Sequence, residues 1–592
     1  MSSGPGRRRP EPGTAPPTRR GRLALCLALL FAANLLPYAP SARAPFVFDD
    51  FPNILNNPAV RDAGAGRDSL LHLALPRLQA RRPLAYLSFA LNLRLCGLDP
   101  FYFHLVNLAI HICNSWLLFF LILSLLKILK GRGLSACALA GALLWSLHPL
   151  QVQAVTYIVQ RMTLGATFFY FLALLLFLRA RARNRLPLKA AWALGAVAAG
   201  LLGFFCKEIL LTLPLVWLLV EIGLVPGQGP RFRRRSVIAL GFAALAVYLT
   251  VAGIFGGQLF HEAEHYSRRF PEGLTARLLT QARVMVHYLS LLAFPDLSRF
   301  NLLPQWTYSS NLFVPPTTLP AVLAILALIG LSAWGLQRRT LAGFAGLFFF
   351  AALLPEAGLY PLDPAFDHRL YLPSVALLAG AGAAWVWPGR WRRARLALLL
   401  AAVACLLALT FRRNSIWSDE VSLWRDTVKK SPASARAWGN LAKHLTDVGQ
   451  YQAAVLAGQK AVQLDPCAAE ILSNLGGSYL GLKDFDRARQ TFDQALRCQP
   501  DFEMAKAGLE LAQRLQTMPQ GPPAFPPPAV GDDAEGAGRL YRRGFSRLRD
   551  GRYLEGIRDL EEAVRRRPDF PEAKLLLEEA KRRLGENPDL IR

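Results

Sequence analysis

Two adjacent carboxylates, Asp49 and Asp50, stand in the run Phe48-Asp49-Asp50-Phe51-Pro52-Asn53, with an aromatic ring on either side. Acids held against apolar rings lose solvation, so such a pair binds a cation, pairs with arginine, acts as a base or sits in a solvated turn. The pair alone does not choose among these. Four further polar groups recur at the ends of apolar runs: His148-Pro149, Gln160-Arg161, Lys207-Glu208 and Asp367-His368-Arg369. Taken singly, each reads as a structural cap or a snorkelling anchor. Acids, histidines and bases gathered on one face of a membrane would do more: bind an anionic lipid headgroup and deprotonate an acceptor.

The elements that must place these groups are apolar segments of membrane-spanning length. The chain has 592 residues, 53% of them hydrophobic, too apolar overall for an ordinary soluble protein. Its candidate spans are 23–38, 102–126, 134–147, 163–178, 190–206, 209–224, 237–255, 318–336, 341–354, 372–387 and 396–411, about eleven in all. The net charge of +27 sits in short arginine clusters at the ends of these runs, which is a topology signal and not the footprint of a nucleic-acid binder. If Arg19, Arg20 and Arg22 are cytoplasmic, the clusters at 127–132, 179–185, 231–235, 338–339 and 390–395 all fall inside as well. That agreement requires 276–294, which carries Arg277, Arg283 and His287, to be interfacial or half-inserted. The N-terminus is then inside, and the long loop 39–100 and the C-terminal part are outside. A cleaved signal peptide ending at Ala42-Arg43-Ala44 competes for the first segment, and Pro45 argues against it. Six cysteines, Cys26, Cys96, Cys113, Cys137, Cys206 and Cys405, lie in or beside apolar runs without metal-ligand spacing and read as small core residues.

Beyond residue 414 the pattern changes. Pro432, Pro466 and Pro500 are each 34 residues apart and Pro568 follows after 68, the period of tetratricopeptide (TPR) repeats. Residues 414–516 read as a linking helix, marked by Trp417, Glu420 and Trp424, followed by repeats. Residues 517–535 are a Pro-rich linker and 536–592 a final repeat with its capping helix. Such helix pairs stack because no single pair buries its apolar face, and they normally hold a peptide or partner protein in a groove. Cys467 opens the first helix of the second repeat and Cys498 closes the second. An antiparallel hairpin brings those ends together, so an oxidising compartment would link them.

Several stretches resemble the transmembrane and TPR-repeat-containing O-mannosyltransferases and their bacterial relatives in the GT-C superfamily. They are FVFDDFPNILNNPAV, RRPLAYLSFALN, FHLVNLAIHICN, LHPLQVQAVTYIVQRM, CKEILLTLP, DHRLYLPS and WSDEVSLWRD. The resemblance implies an all-α GT-C membrane bundle over 22–413, after a basic leader 1–21, followed by a TPR solenoid. It implies transfer of a sugar, mannose-like, from a polyprenyl-phosphate donor to a protein Ser/Thr hydroxyl recruited by the repeats. By position Asp49 is the expected base and Asp50 its positioning partner. Arg82, His148, Arg161, Lys207, His368 and Arg369 are the candidates for the donor phosphate. No cofactor is required, although paired acids leave room for a divalent ion. Gln153 and Gln160-Arg161 stand where the eukaryotic enzymes carry an acid and a Gly-Arg pair, as in the bacterial branch. The expected setting is a bacterial inner membrane with the repeats periplasmic, or an endoplasmic-reticulum membrane with the repeats luminal. A non-catalytic TPR scaffold for envelope assembly, or transfer to a glycan or lipid, are the alternatives; nucleic acid is not an expected partner.

Overall fold

The computed structural model describes residues 19–66, 82–128, 134–224, 273–357, 363–386, 391–517, 536–549 and 552–586. Most of the basic leader, the span expected at 237–255, the basic cluster at 231–235, part of the 39–100 loop and the Pro-rich linker lie outside these residues. What is described is helical, with no strand among the described residues. The helices are α1 (Arg19–Leu35), α2 (Pro58–Gly64), α3 (Pro83–Cys96), α4 (Pro100–Ile128), α5 (Leu134–Ser146), α6 (Gln151–Thr156), α7 (Arg161–Arg181), α8 (Leu186–Phe204), α9 (Leu213–Gly223), α10 (Gly273–Ala293), α11 (Thr318–Gln337), α12 (Leu341–Ala357), α13 (Ser374–Val386) and α14 (Arg392–Ile416). The repeat array follows with α15 (Glu420–Lys430), α16 (Ala435–Asp447), α17 (Tyr451–Leu464), α18 (Ala469–Gly481), α19 (Phe485–Cys498), α20 (Glu503–Thr517), α21 (Ala537–Arg549), α22 (Tyr553–Arg566) and α23 (Pro571–Glu586).

Among the described residues, 6 helical stretches are long and apolar enough to cross a membrane: 20–41, 100–128, 158–181, 186–204, 318–337 and 392–416. The chain is a multi-pass membrane protein. Three expected spans are shorter apolar helices, α5, α12 and α13. The expected span 209–224 is broken, a 3-10 turn over Glu208–Thr212 preceding α9. Pro214 explains the break: it stands near the start of α9, where its missing N–H costs nothing, and would disrupt a helix continuing from above. The helix α10 is not among the 6, in keeping with Arg277, Thr280 and Gln281 on its buried face.

Small residues let these helices approach closely. At the α5–α13 crossing a Cβ on Gly141 would lie 2.8 Å from the Ala379 carbonyl, and one on Gly382 would lie 2.6 Å from the Gly141 Cα. Backbone-to-backbone contact of this kind replaces the hydrophobic drive that lipid removes. Several polar side chains inside the bundle are paired: His111 Nδ1 lies 2.7 Å from the Tyr371 hydroxyl, and Asn114 donates to the Leu164 carbonyl at 3.0 Å.

The chain divides into two compact units, 1–448 with 456–465, and 449–455 with 466–592. This division differs from a boundary drawn at 414, because α15 and α16 pack on loops of the membrane part. In the second unit the repeat hairpins follow the 34-residue period, Asp484 capping α19 by accepting from the Arg487 N–H at 3.1 Å. Cys467 and Cys498 are joined as a disulfide with Cα atoms 5.4 Å apart.

Candidate active site

The turn joining α6 to α7 with the first residues of α7, 157–163, organises the site, since four of these seven residues hold one of the groups singled out above. The Tyr157 hydroxyl accepts from the Asp49 backbone N–H at 2.7 Å. The Val159 N–H donates to Asp50 Oδ1 at 2.7 Å, while Asp50 Oδ2 accepts from the Val47 N–H at 2.9 Å. The Met162 sulfur accepts from Arg82 at 3.3 Å, and the Thr163 hydroxyl accepts from Lys207 at 3.0 Å. One helix back, Gln153 Oε1 accepts from the His368 backbone N–H at 2.7 Å. A single short segment thus gathers residues contributed by loops far apart in the chain.

The acidic pair is divided by environment. Asp50 is buried, both oxygens taken by backbone N–H groups, and burial pushes its carboxyl up to about 8 despite those bonds. Asp49 raises it further and Arg161 opposes the shift. Burial thus favours the neutral form of Asp50, which reduces repulsion on Asp49. Asp49 itself is half-buried. Its carbonyl accepts from Asn53 at 2.8 Å, and Asn53 accepts from the Tyr86 hydroxyl of α3 at 2.8 Å. Phe48, immediately before it, has φ +48°, in the left-handed region that bulky side chains avoid. Holding it there costs about 1–2 kcal/mol that surrounding contacts must offset.

The cations form ion pairs. Arg82 is bidentate on Glu208, at 3.0 to 3.3 Å. Burial raises the Glu208 carboxyl, but the charge and hydrogen bonds of Arg82 outweigh it and hold it below the usual value. Lys207 pairs with Glu356 at the end of α12; burial lowers the ammonium further than Glu356 raises it. Arg369 donates to the carbonyls of Asp363 and Pro364 at 2.7 and 3.2 Å. The helix α10 fixes this loop from behind, Gln281 donating to the Pro364 carbonyl and the Tyr288 hydroxyl to the Phe366 carbonyl, both at 3.0 Å.

Three of the expected phosphate ligands have other occupations. Arg161 donates from Nε to Asn107 at 2.8 Å, from Nη1 to the Ser88 carbonyl at 3.1 Å, and from Nη2 to Asn92 and the Phe103 carbonyl at 2.8 and 3.1 Å. It also lies over the Phe89 and Phe103 rings at 4.7 and 5.4 Å, so it fastens α3 and α4 to α7. His148 accepts from the Leu150 N–H, and burial lowers the ring to about 4, leaving a neutral turn-former. His368 is held well below its usual value by burial and by the charges of Lys207, Arg369 and Arg82. Its Nδ1 lies 3.2 Å from Gln153 Oε1, an acceptor, which fixes the ring proton there and leaves Nε2 a lone pair with nothing to donate to a phosphate. Arg82, Lys207 and Arg369 remain.

Sequence reading did not foresee Tyr157 or Glu356, and it marked Gln153 only as a departure from the eukaryotic pattern. Glu356 carried a signal, an acid at the end of an apolar helix; Tyr157 carried none. Beside Asp367, which burial pushes up to about 7, Asp426 of α15 takes both Arg413 and Lys430, at 2.8 and 2.7 Å. Among the described residues no group of three or more His, Cys, Asp or Glu side chains is arranged to hold a metal ion.

Residues 445–510 match the tetratricopeptide repeat family. Along most of its length the chain is 26% identical to the protein O-mannosyl-transferase TMTC1 of Mus musculus, covering 78% of this chain and 61% of that protein. It is likewise 26% identical to the protein O-mannosyl-transferase Tmtc3 of Drosophila melanogaster, covering 86% and 62%, and 33% identical over 293 residues to Tmtc2 of the same organism, covering 47% and 30%. These relatives are named protein O-mannosyl-transferases, and the chain spans about three-fifths of the length of the first two.

Proposed function

We propose that the chain is a membrane glycosyltransferase that moves a mannose-like sugar from a polyprenyl-phosphate donor to a Ser or Thr hydroxyl of a protein, on the non-cytoplasmic face. The observation that carries this reading is the division of the acidic pair. Both Asp50 oxygens are taken by backbone N–H groups, and Asp49, half-buried, is held by the same 157–163 segment that accepts from Arg82 and Lys207. The names of the relatives support it.

In this reading the Asp49 carboxylate takes the proton of the acceptor hydroxyl as its oxygen bonds the anomeric carbon. The bond from that carbon to the phosphate oxygen breaks with its electron pair, the configuration inverts, and the lipid phosphate leaves with one more negative charge. Arg82, Lys207 and Arg369 stabilise that charge. Lys207 and Arg82 keep their acidic partners Glu356 and Glu208 in the resting site, so the donor must compete with carboxylates for them. This arrangement favours a ligand whose phosphate gains charge during reaction over one that merely binds. Repeats 466 onward bring the acceptor protein.

The test replaces Asp49 with Asn in the full-length chain and follows O-glycosylation of proteins of the same membrane system by mass spectrometry. Loss of modification with normal abundance of the variant is expected. Unchanged modification would overturn Asp49 as the base, and absence of any protein modification dependent on the wild-type chain would overturn the reading as a whole.

A further inference from the structure

The segment leaving the last span does more than connect. Trp417, at the end of α14, packs on Tyr157 with ring centroids 5.8 Å apart. Trp424, seven residues on, meets the edge of Phe48 at 5.9 Å and stacks on His444 of α16 at 6.3 Å with planes 8° apart. Arg436 of α16 covers Phe48 with its guanidinium 4.3 Å from the ring centroid, and Lys443 lies 4.9 Å from the centroid of Phe51. Tyr157 and Phe48 are the two supports on either side of Asp49: one accepts its N–H, the other precedes it in a strained backbone conformation. The end of α14 therefore holds one support, and α15 with α16 the other.

We infer that Trp417, Trp424 and Arg436 are positioning residues that clamp the Phe48–Phe51 loop and so set the direction of the Asp49 carboxylate; this rests on the reading of Asp49 as the base. Trp424 and Arg436 pack on the Phe48 ring and oppose its relaxation to a negative φ, and a rotation there swings the next residue. The opposite side of the loop stays tied through Asp50 to Val47 and Val159. The expected damage is thus a misdirected carboxylate in an otherwise folded site. Glu420 and His444, 3.0 Å apart, brace α15 against α16 behind the clamp.

Two measurements on the full-length protein in detergent or nanodiscs test this. The first is amide hydrogen exchange over residues 46–53 in Trp424→Leu and Arg436→Ala. Exchange in that segment is expected to rise by about tenfold or more while the bundle helices keep theirs. Unchanged exchange at 46–53, or a rise spread evenly over the bundle, overturns the clamp. The second is transfer from mannosyl-phosphoryl-polyprenol to a Ser/Thr peptide. A fall in kcat of about tenfold or more, with acceptor KM within about twofold, is expected for both variants, with recovery in Trp424→Phe. A KM effect alone would overturn it, since that is what loss of recruitment gives. The failures are separable: a transferase indifferent to Asp49→Asn sinks the base, whereas exchange at 46–53 decides the clamp whatever the reaction is.

Discussion

Arg161 shows how a residue can be in the right place for one task and committed to another. Its guanidinium reaches two amide side chains, two carbonyls and two rings, a fan that lysine cannot reproduce from a single ammonium. Arg161→Lys is expected to destabilise the protein by roughly 2–4 kcal/mol, because buried acceptors on Asn107 and Asn92 lose their donors. Thermal unfolding in detergent measures this; lowered kcat at unchanged stability would instead restore Arg161 to the phosphate. His444 gives a pH dependence. Burial lowers its ring, but the carboxylates of Asp447 and Glu420 outweigh burial and raise it above the ordinary value near 6.5. A raised histidine binds its proton more tightly in the folded state, so its contribution is complete below about pH 6.5 and is lost as pH rises through the raised value. Exchange protection of α15 and α16 is expected to be greater at pH 6 than at pH 8, and His444→Gln to remove the difference.

At the scale of helices and turns, the repeat hairpins offer a controlled comparison. Gly449 has φ +76° at the turn between α16 and α17, and Lys483, one 34-residue period later, takes φ +61° at the corresponding turn between α18 and α19. Glycine enters that region without a Cβ penalty, so Lys483→Gly is expected to stabilise the hairpin by about 0.5–1 kcal/mol, read by chemical denaturation of the full-length protein. In the bundle, Gly382→Val would place branched carbons against the backbone of α5, and poor membrane accumulation is expected. These elements were largely legible beforehand, because membrane spans and a 34-residue period are local patterns repeated many times. Nine of the expected spans fall on long or shorter apolar helices, while 209–224 is split near its proline. The site was legible only in part. Lys207 and Arg369 stood out as ionisable groups at span ends, Asp49 as half of an acidic pair in a loop and Arg82 only with the resemblance, but the contacts to Glu208 and Glu356, and the structural duties of Arg161, His148 and His368, depend on which distant segments meet. Side-chain type records what a residue is able to do, while contacts decide which of those abilities is left over.

Over the whole molecule, the +27 charge and the alternation of basic loops predict one orientation, with the repeats outside. A reporter active only beyond the membrane, fused after Arg592, is expected to be active; an inactive, stably expressed fusion would reverse the assignment. The cysteines offer a second test of that orientation. The bond between Cys467 and Cys498 closes within one repeat, while Cys26, Cys96, Cys113, Cys137, Cys206 and Cys405 are thiols. Cytosolic reductants keep such pairs open, and oxidising compartments close them. With the repeats outside, the ratio of blocked to free thiol at those two positions, counted by mass after alkylation, is expected to report the fraction of molecules threaded that way.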